Sequence, residues 1–413
     1  MKSLTSIASR LPKFLLLVLF LALAPTALAS NTWYVDSVNG NDTNDCKTTQ
    51  TACKTIGHAI SLAKSGDSIM VAPATYTENL TIRKNLKVIG SDAATTIVDG
   101  GGASTVFTIP FSRNQRVHVR LSKLTIRNGN GAGIYNGGIL TVNYSTIKAN
   151  KAPYDGGGIS NDGTLTVNRS TIIGNSAGVG GGIENNGGTV TISHSTISGN
   201  DSVYGGGIVS MDGGTLTVNR STISGNSASE GGGIWGAVGT LTVNNSTISG
   251  NSATQYGGAV KIKVETTLLS INNSTIRGNR AMWHGGGIVS EFDAVVTLQN
   301  SILAGATSGG NCYTTGRTMT SQGYNLSDDN TCNFSGPGDM NNTQPLLGKL
   351  GNHGGPTQTI LLLEGSPAID AGNPNGCTDG NGNLFKTDQR GYPRPDKEDT
   401  GGCDMGSYER QQD

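Results

Sequence analysis

The feature of this sequence that most constrains its fold is a motif of about 25 residues that recurs along the middle of the chain. Most copies contain Gly-Gly-Gly-Ile or a close variant, then a short Thr-rich element such as Leu165-Thr166-Val167, then Ser-Thr-Ile. The apolar residue after the glycines stands at positions 134, 159, 183, 208, 234, 260 and 288. Spacings of 24 to 28 residues predict stacked units, because a single unit of this kind cannot bury its apolar face alone.

The short elements within each copy alternate apolar and polar residues and are rich in Thr, Val and Ile. This is the period and composition of β-strands, and helical spacing is not sustained in any copy. Three short strands per copy, separated by Gly- and Asn-rich turns, predict an all-β parallel β-helix whose coils lie about 4.8 Å apart.

Residues at the same position of successive coils should form columns along the axis. One inward column is the apolar set given above. A second is expected to contain Ile147, Ile172, Ile197, Ile223, Ile248, Ile276 and Ile302. At one corner, an asparagine ladder bonded through its side-chain amides is expected from Asn150, Asn175, Asn200, Asn226, Asn251 and Asn279.

The N-terminus has the pattern of a secretory signal peptide, predicted over residues 1–29. Lys2, Arg10 and Lys13 precede an apolar run over residues 14–24, and Ala-Leu-Ala at 27–29 supplies small residues for cleavage. A membrane anchor is the alternative, but the run is short of the roughly 20 residues that a span requires. We therefore expect no membrane span after cleavage.

The rest of the chain divides into three predicted regions. Residues 30–65 form an N-terminal cap with a short helix within Lys54–Lys64, where apolar residues follow a helical face. The β-helix is predicted over 66–305. Residues 306–413, rich in Gly, Pro, Asn and Asp, form a loop-rich module stapled by disulfides.

The six cysteines lie outside the regular repeats, and export favours disulfides. Although six cysteines allow 15 pairings, we expect local ones. The expected pairs are Cys46 with Cys53, Cys312 with Cys332, and Cys377 with Cys403.

These motifs resemble those of known bacterial families. The repeats resemble right-handed parallel β-helix proteins, and Gly-Gly-Gly-Ile with a following Asn is similar to the repeat of polymorphic outer-membrane proteins. The segment from Trp33 to Ile56 resembles the entry of pectin-lyase-like β-helices. The tail resembles the choice-of-anchor Q domain, through Asn352–Thr357, Gly365–Asp370, Asp388–Gly391 and Cys403–Glu409.

The resemblance implies a secreted or cell-surface protein, while activity stays open. The favoured function is binding or adhesion, with extracellular polysaccharide or a cell-surface glycan as partner. The alternative is a polysaccharide lyase of the pectin-lyase-like class. Nucleic acid is not expected as a partner, because 29 basic residues are balanced by 29 acidic ones. A monomer is expected.

The most informative candidate site comes from two variable columns, one before the glycines and one after the following Ile. If these columns are neighbours, they bring together aromatic rings suited to sugars. The ligand-binding candidates are Tyr204, Trp235, Tyr256 and Trp283, and the catalytic candidates are Glu230, Lys261 and His284. The acidic residues of the repeats are scattered over different row positions, so no carboxylate cluster is expected.

Two further hypotheses concern calcium and ice. A structural calcium site is a hypothesis for Asp379, Asn381, Asn383 and Asp388, although the turn glycine and final glutamate of an EF-hand are absent. No other cofactor is expected. Thr-x-Thr recurs at 164/166, 189/191, 215/217 and 240/242. This array resembles the flat face of ice-binding solenoids, a minor alternative because Thr also suits any exposed strand.

Overall fold

The short elements of each repeat pair in parallel and in register with their counterparts in the next repeat. The structure, a computed structural model, describes residues 30–113, 115–379, 382–397 and 402–411. It is a right-handed parallel β-helix of about ten coils, which confirms the predicted fold class. The predicted signal peptide over 1–29 lies outside the described residues.

Each regular coil contributes three strands, which we call first, second and third in chain order. The first strands are Leu80–Thr81, Phe107–Ile109, Ile134–Asn136, Ile159–Asn161, Ile183–Asn186, Ile208–Met211, Ile288–Ser290 and Cys312–Thr314. The second strands are Thr32–Val35, Ser68–Val71, Leu86–Gly90, His118–Ser122, Ile139–Asn143, Thr164–Asn168, Thr189–Ser193, Gly214–Asn219, Val295–Gln299 and Thr320–Ser321. In two coils the first and second strands merge, into Ile234–Asn244 and Val260–Asn272.

The third strands form a separate parallel sheet. They are Ala74–Thr77, Thr96–Asp99, Thr125–Arg127, Thr146–Lys148, Thr171–Ile173, Thr196–Ser198, Thr222–Ser224, Thr247–Ser249, Thr275–Arg277, Ile302–Ala304 and Leu326–Ser327. A short extra sheet comprises Ser227–Glu230, Ser252–Tyr256 and Arg280–Ala281. Parallel pairing extends beyond residues 66–305, from Thr32 to Ser327.

The first inward column forms in full, since each apolar residue after the glycines aligns with the next. The prediction for the second column is wrong at its last position. Ile276 aligns with Leu303, whereas Ile302 aligns with Thr275 of the outer face. Ile302 is nevertheless fully buried, because it belongs to a second apolar cluster that includes Leu326 and Met405.

The predicted asparagine ladder forms a continuous buried chain of hydrogen bonds. At its centre, Asn200 Oδ1 accepts from both the backbone N and the Nδ2 of Asn175, each at 3.0 Å. Asn200 Nδ2 donates to Asn226 Oδ1 at 2.9 Å and to the carbonyl of Ile172 at 3.1 Å. In a parallel ladder of serines, each backbone N donates to the next Oγ, through Ser145, Ser170, Ser195, Ser221, Ser246, Ser274 and Ser301.

The N-terminal helix spans Ile56–Leu62. The Thr55 side chain accepts from His58 N at its start, and the two carboxylate oxygens of Glu78 accept from Ile56 N and Gly57 N. These bonds satisfy donors that a helix N-terminus would otherwise leave free. The apolar face that predicted the helix is buried at Ile56, Ala59 and Ile60.

The C-terminal residues include an antiparallel strand pair, Leu347–Gly351 with Thr359–Leu362, and pack on the outer face of the third-strand sheet. The side chains of Gln389 and Ser407 both form hydrogen bonds with Thr247 Oγ1. The outer column of this sheet is Thr in each coil from Thr125 to Thr275 and changes to Ile302 and Leu326 in the last two coils. This change follows burial, because the second apolar cluster covers the last two positions.

All three expected disulfides are confirmed, joining Cys46 to Cys53, Cys312 to Cys332 and Cys377 to Cys403. Among the described residues, no helix is long and apolar enough to span a bilayer.

The Thr-x-Thr elements align over four successive coils, which places these threonines in register on one surface. Ice binding by this surface stays a prediction.

The asparagine ladder yields a prediction about stability. Asn200→Ala removes the Oδ1 atom that accepts hydrogen bonds from the backbone N and the Nδ2 of Asn175. It also removes the Nδ2 group that donates to the Ile172 carbonyl, and all of these groups are buried. Unsatisfied buried groups of this kind destabilise by about 1–3 kcal/mol each. We expect a loss of about 3 kcal/mol in the free energy of unfolding, measured by urea denaturation followed by circular dichroism.

Asn168→Ala, at a partly exposed position one coil earlier, is the matched control. It should change the free energy of unfolding by less than about 0.5 kcal/mol. Equal effects of the two substitutions would mean that the ladder has no special role in stability.

Candidate functional site

The Gly-Gly-Gly turn places two side-chain columns next to each other. Its first glycine has a left-handed backbone, with φ of 60° at Gly205 and 66° at Gly231. A Cβ on Gly205 would lie 2.4 Å from the carbonyl oxygen of Ile208, so no larger residue fits. The tight turn brings the residue before the glycines close to the residue after the Ile, as the 3.3 Å bond from Trp235 Nε1 to Glu230 Oε2 shows.

Both predicted columns form, because their members align coil by coil. The column before the glycines contains Asp155, Val179, Tyr204, Glu230, Tyr256 and His284. The column after the Ile contains Tyr135, Ser160, Glu184, Val209, Trp235, Lys261, Val289 and Tyr313.

The later coils carry an aromatic strip, which we define as Tyr204, Trp235, Tyr256, Trp283, His284 and Tyr313. The rings of Tyr204 and Trp235 lie 5.5 Å apart, and those of Tyr256 and Trp283 lie 5.2 Å apart, edge to face. His284 stacks on Tyr313 at 4.2 Å. The exposed fractions of Tyr204 and Trp283 are 40% and 51%, so the strip presents aromatic surface to solvent.

The predicted charged candidates lie in or beside this strip but differ in their exposure to solvent. Lys261 is 1% exposed, forms an ion pair with Glu291, and has its Nζ 4.5 Å from the ring centroid of Tyr256. Burial lowers the pKa of the Lys261 amine, which the Glu291 carboxylate partly offsets. His284 is exposed and its ring stacks with that of Tyr256. The structure therefore brings Lys261, His284 and Glu230 to one face.

The earlier coils carry an acidic groove, which we define by Asp155, Asp162, Glu184 and Asp212. These carboxylates line a cavity of about 540 Å³ together with Thr105, Thr108, Gly131, Ala132, Tyr135, Pro153, Tyr154, Ser160, Asn186 and Met211. The Tyr135 hydroxyl donates to Asp162 Oδ2 at 2.7 Å. Burial and the Asp162 carboxylate raise the pKa of Tyr135 to about 12, so this hydroxyl keeps its proton.

Glu184 is the buried member of the acidic groove, with an exposed fraction of 3%. Burial raises the pKa of its carboxyl to about 7, and the charge of Asp155 adds to the increase. Ser160 Oγ, which donates to Glu184 Oε2 at 3.1 Å, acts in the opposite direction. A carboxyl with this pKa is both protonated and ionised near neutral pH, as a group that transfers protons requires.

These four acidic residues do occupy different row positions, as predicted, but the expectation that they form no cluster is wrong because all four line one cavity. Their row positions differ, since Asp155 precedes the glycines, Glu184 follows the Ile, and Asp162 and Asp212 lie in the next turn. The first strand of a coil such as Ile159–Asn161 has only three residues, so both of its ends border the same cavity. Sequence spacing alone does not reveal this convergence.

The calcium hypothesis stays a prediction. Asn381 lies outside the described residues. The Asp379 carboxylate accepts from the backbone N and the Nδ2 of Asn383, and Asp388 is buried with Arg390 Nε at 2.7 Å from its Oδ2. These bonds occupy oxygen atoms that a calcium ion would need.

In the described part of the chain, one group of three side chains brings possible metal ligands together. Cys46, Cys53 and His58 have their ligand atoms within 4.8 Å of one another. The two cysteines form a disulfide, however, so their sulfur atoms are not available as thiolates.

Comparison with solved structures identifies similar folds. The pectate lyase Pel9A is 14% identical, with a TM-score of 0.54 over 93% of this chain and 98% of that chain. XylC, solved in complex with xylose, is 10% identical, with a TM-score of 0.52 over 92% of this chain and 98% of that chain. Similarity at these identities establishes a shared fold. No protein-family model and no curated protein sequence matches the chain.

Glu184 yields a prediction about pH. Because its pKa is raised from 4.5 in the unfolded chain to about 7 in the fold, its stabilising contribution is complete below pH 4.5 and is lost as the pH rises through about 7. The Glu184→Gln variant lacks this titration. The stability of the wild type relative to the variant should therefore fall by about 3 kcal/mol over this range.

Urea denaturation of both proteins across this pH range measures the difference. The pKa of Asp404 in the C-terminal region is also raised to about 7, mainly by burial, but its effect cancels because both proteins contain it. Parallel pH profiles for the wild type and the variant would contradict the prediction.

Proposed function

We propose that this chain binds polysaccharide along the face formed by the acidic groove and the aromatic strip. The observation that carries the proposal is the series of solvent-accessible rings at successive coils, from Tyr204 and Trp235 to Trp283. Apolar faces of sugar rings pack on aromatic rings, and carboxylates accept strong hydrogen bonds from hydroxyl groups.

The shape of this face suits a chain-like ligand. The column after the Ile continues without a break from Tyr135 to Tyr313, and the column before the glycines continues from Asp155 to His284, across coils spaced about 4.8 Å apart. A glycan lying along the axis would therefore meet carboxylates first and aromatic rings next. The two similar structures named above, a pectate lyase and a xylose complex, agree with a carbohydrate ligand.

An extracellular location belongs to the same proposal. Three disulfides suit an oxidising compartment, and the N-terminal sequence has the pattern of a signal peptide. On the resemblance of the tail to the choice-of-anchor Q domain, we propose that the protein acts at or near a cell surface as a monomer.

A second candidate function is cleavage of the bound glycan. The observation that favours it is Glu184, whose carboxyl is buried beside other carboxylates and has a pKa of about 7. A protonated carboxyl paired with a carboxylate is the arrangement that glycoside hydrolysis uses. The lyase alternative relies on Lys261 as a base, and the ion pair with Glu291 and the burial of Lys261 count against it.

The two kinds of cleavage are distinguished by their products. A lyase produces unsaturated uronate ends, which absorb in the ultraviolet, whereas a hydrolase produces reducing ends without that absorbance. Hydrolysis by the wild type that disappears in Glu184→Gln would support the second candidate. If no polysaccharide yields new chain ends, binding without cleavage remains as the proposed function.

Binding itself yields a prediction. Trp235→Ala and Trp283→Ala should each weaken the affinity for a bound polysaccharide by roughly tenfold, since a stacking ring contributes about 1.4 kcal/mol. Native electrophoresis in gels that contain the polysaccharide measures this affinity.

Tyr144→Ala is the matched control, because Tyr144 is an exposed aromatic residue, 54% accessible, outside the two columns. It should leave the affinity unchanged. Trp283 is about half exposed, so its substitution is expected to preserve the fold. Unchanged affinity in both Trp283→Ala and Trp235→Ala would refute the role of the aromatic strip.

A further inference from the structure

The acidic groove has a charge that its own lining does not neutralise. Asp155, Asp162, Glu184 and Asp212 line it, and no Lys or Arg is among the described lining residues. The ion pairs identified in the described part of the chain lie elsewhere, at the carboxylates of Asp99, Glu291, Asp388 and Glu409. A ligand that enters the groove therefore meets a negative field.

The hydrogen-bonding groups of the groove favour ligands that donate hydrogen bonds and carry no negative charge. Ionised carboxylates are acceptors only, so they bind groups that can donate a proton. Sugar hydroxyls donate, whereas the carboxylates and sulfates of acidic polysaccharides do not. The Tyr135 hydroxyl does not supply a free donor, because it already donates to Asp162.

Two basic side chains at the aromatic strip, Lys261 and His284, are already in contact with neighbouring groups. Lys261 is buried and paired with Glu291, and the carboxylate of Glu230 lies nearby, bonded to Trp235 Nε1. His284 is the basic member of the strip itself, and its ring packs against neighbouring aromatic rings.

A divalent cation is the obvious way to bridge the groove to an acidic sugar. Such a bridge is favoured when several carboxylates converge on one point. Across the described residues, however, no three groove carboxylates have oxygens within 4.8 Å of one another. The groove is therefore not preorganised for calcium.

From these observations we infer that the face selects polysaccharides that carry no carboxylate or sulfate groups, and rejects polyanions such as pectate. This inference rests on the proposed polysaccharide binding and specifies its substrate class. The shared fold with a pectate lyase does not imply it, because the relevant charges belong to side chains of this chain.

The test compares glycans that differ chiefly in charge. Three matched pairs serve: hydroxyethyl cellulose with carboxymethyl cellulose, methyl-esterified with free polygalacturonate, and carboxyl-reduced with native glucuronoxylan. Affinity electrophoresis of the full chain is run at about 10 mM salt, where the Debye length is about 30 Å and charges are only weakly screened. We expect the neutral member of at least one pair to retard the protein. The affinity for its anionic partner should be lower by roughly tenfold or more.

A variant with Asp155→Asn, Asp162→Asn and Asp212→Asn tests the cause. This variant should bind the anionic member of a pair more tightly than the wild type does, which reduces the difference in affinity between the two members. Trp235→Ala should instead weaken binding to both members. Circular dichroism checks that the variant is folded, and the comparison of matched glycans on the wild type does not depend on it.

The outcomes separate the two proposals. Tighter binding of the anionic member, with or without added calcium, would overturn the charge selection and leave polysaccharide binding intact if Trp235→Ala still weakens it. No retardation by any member of the three pairs would overturn polysaccharide binding and, with it, the selection.

Discussion

The structure depends on hydrogen bonds between equivalent positions of successive coils. Asparagine side chains form hydrogen bonds with one another along one corner. Serine hydroxyls accept hydrogen bonds from backbone N–H groups along another. Since each bond joins one coil to the next at a fixed register, it sets the position of every other residue in that coil. A single coil buries too few apolar groups to fold alone, so these contacts between coils specify the fold.

A consequence is that function can be encoded column by column. The turn before Ile208 and the turn before Ile234 both begin with a left-handed glycine, yet one follows Tyr204 and the other follows Glu230. The residues of the column before the glycines are not buried, so changing one of them alters the surface and leaves the inward columns unchanged. The acidic groove and the aromatic strip occupy two stretches of the same face, and they differ in side-chain chemistry.

Much of this architecture follows from the sequence. The repeat predicts the strands, the inward columns and the asparagine ladder, because each depends on residue identity at a fixed period. The acidic groove could not be predicted in that way, since Asp155, Asp162 and Glu184 occupy different row positions and converge only through the short first strand. The packing of the tail has no periodic signal either, although the replacement of outer Thr by Ile302 indicates a covered surface.

A glycan held by both the acidic groove and the aromatic strip would have to lie along the solenoid axis. A crystal structure of the full chain with a neutral oligosaccharide that it retains in the gel tests this placement most directly. We expect sugar rings over Trp235 and Trp283, with hydroxyl groups directed at carboxylates of the acidic groove. An oligosaccharide bound instead on the threonine surface, or running across the axis within a single coil, would contradict it.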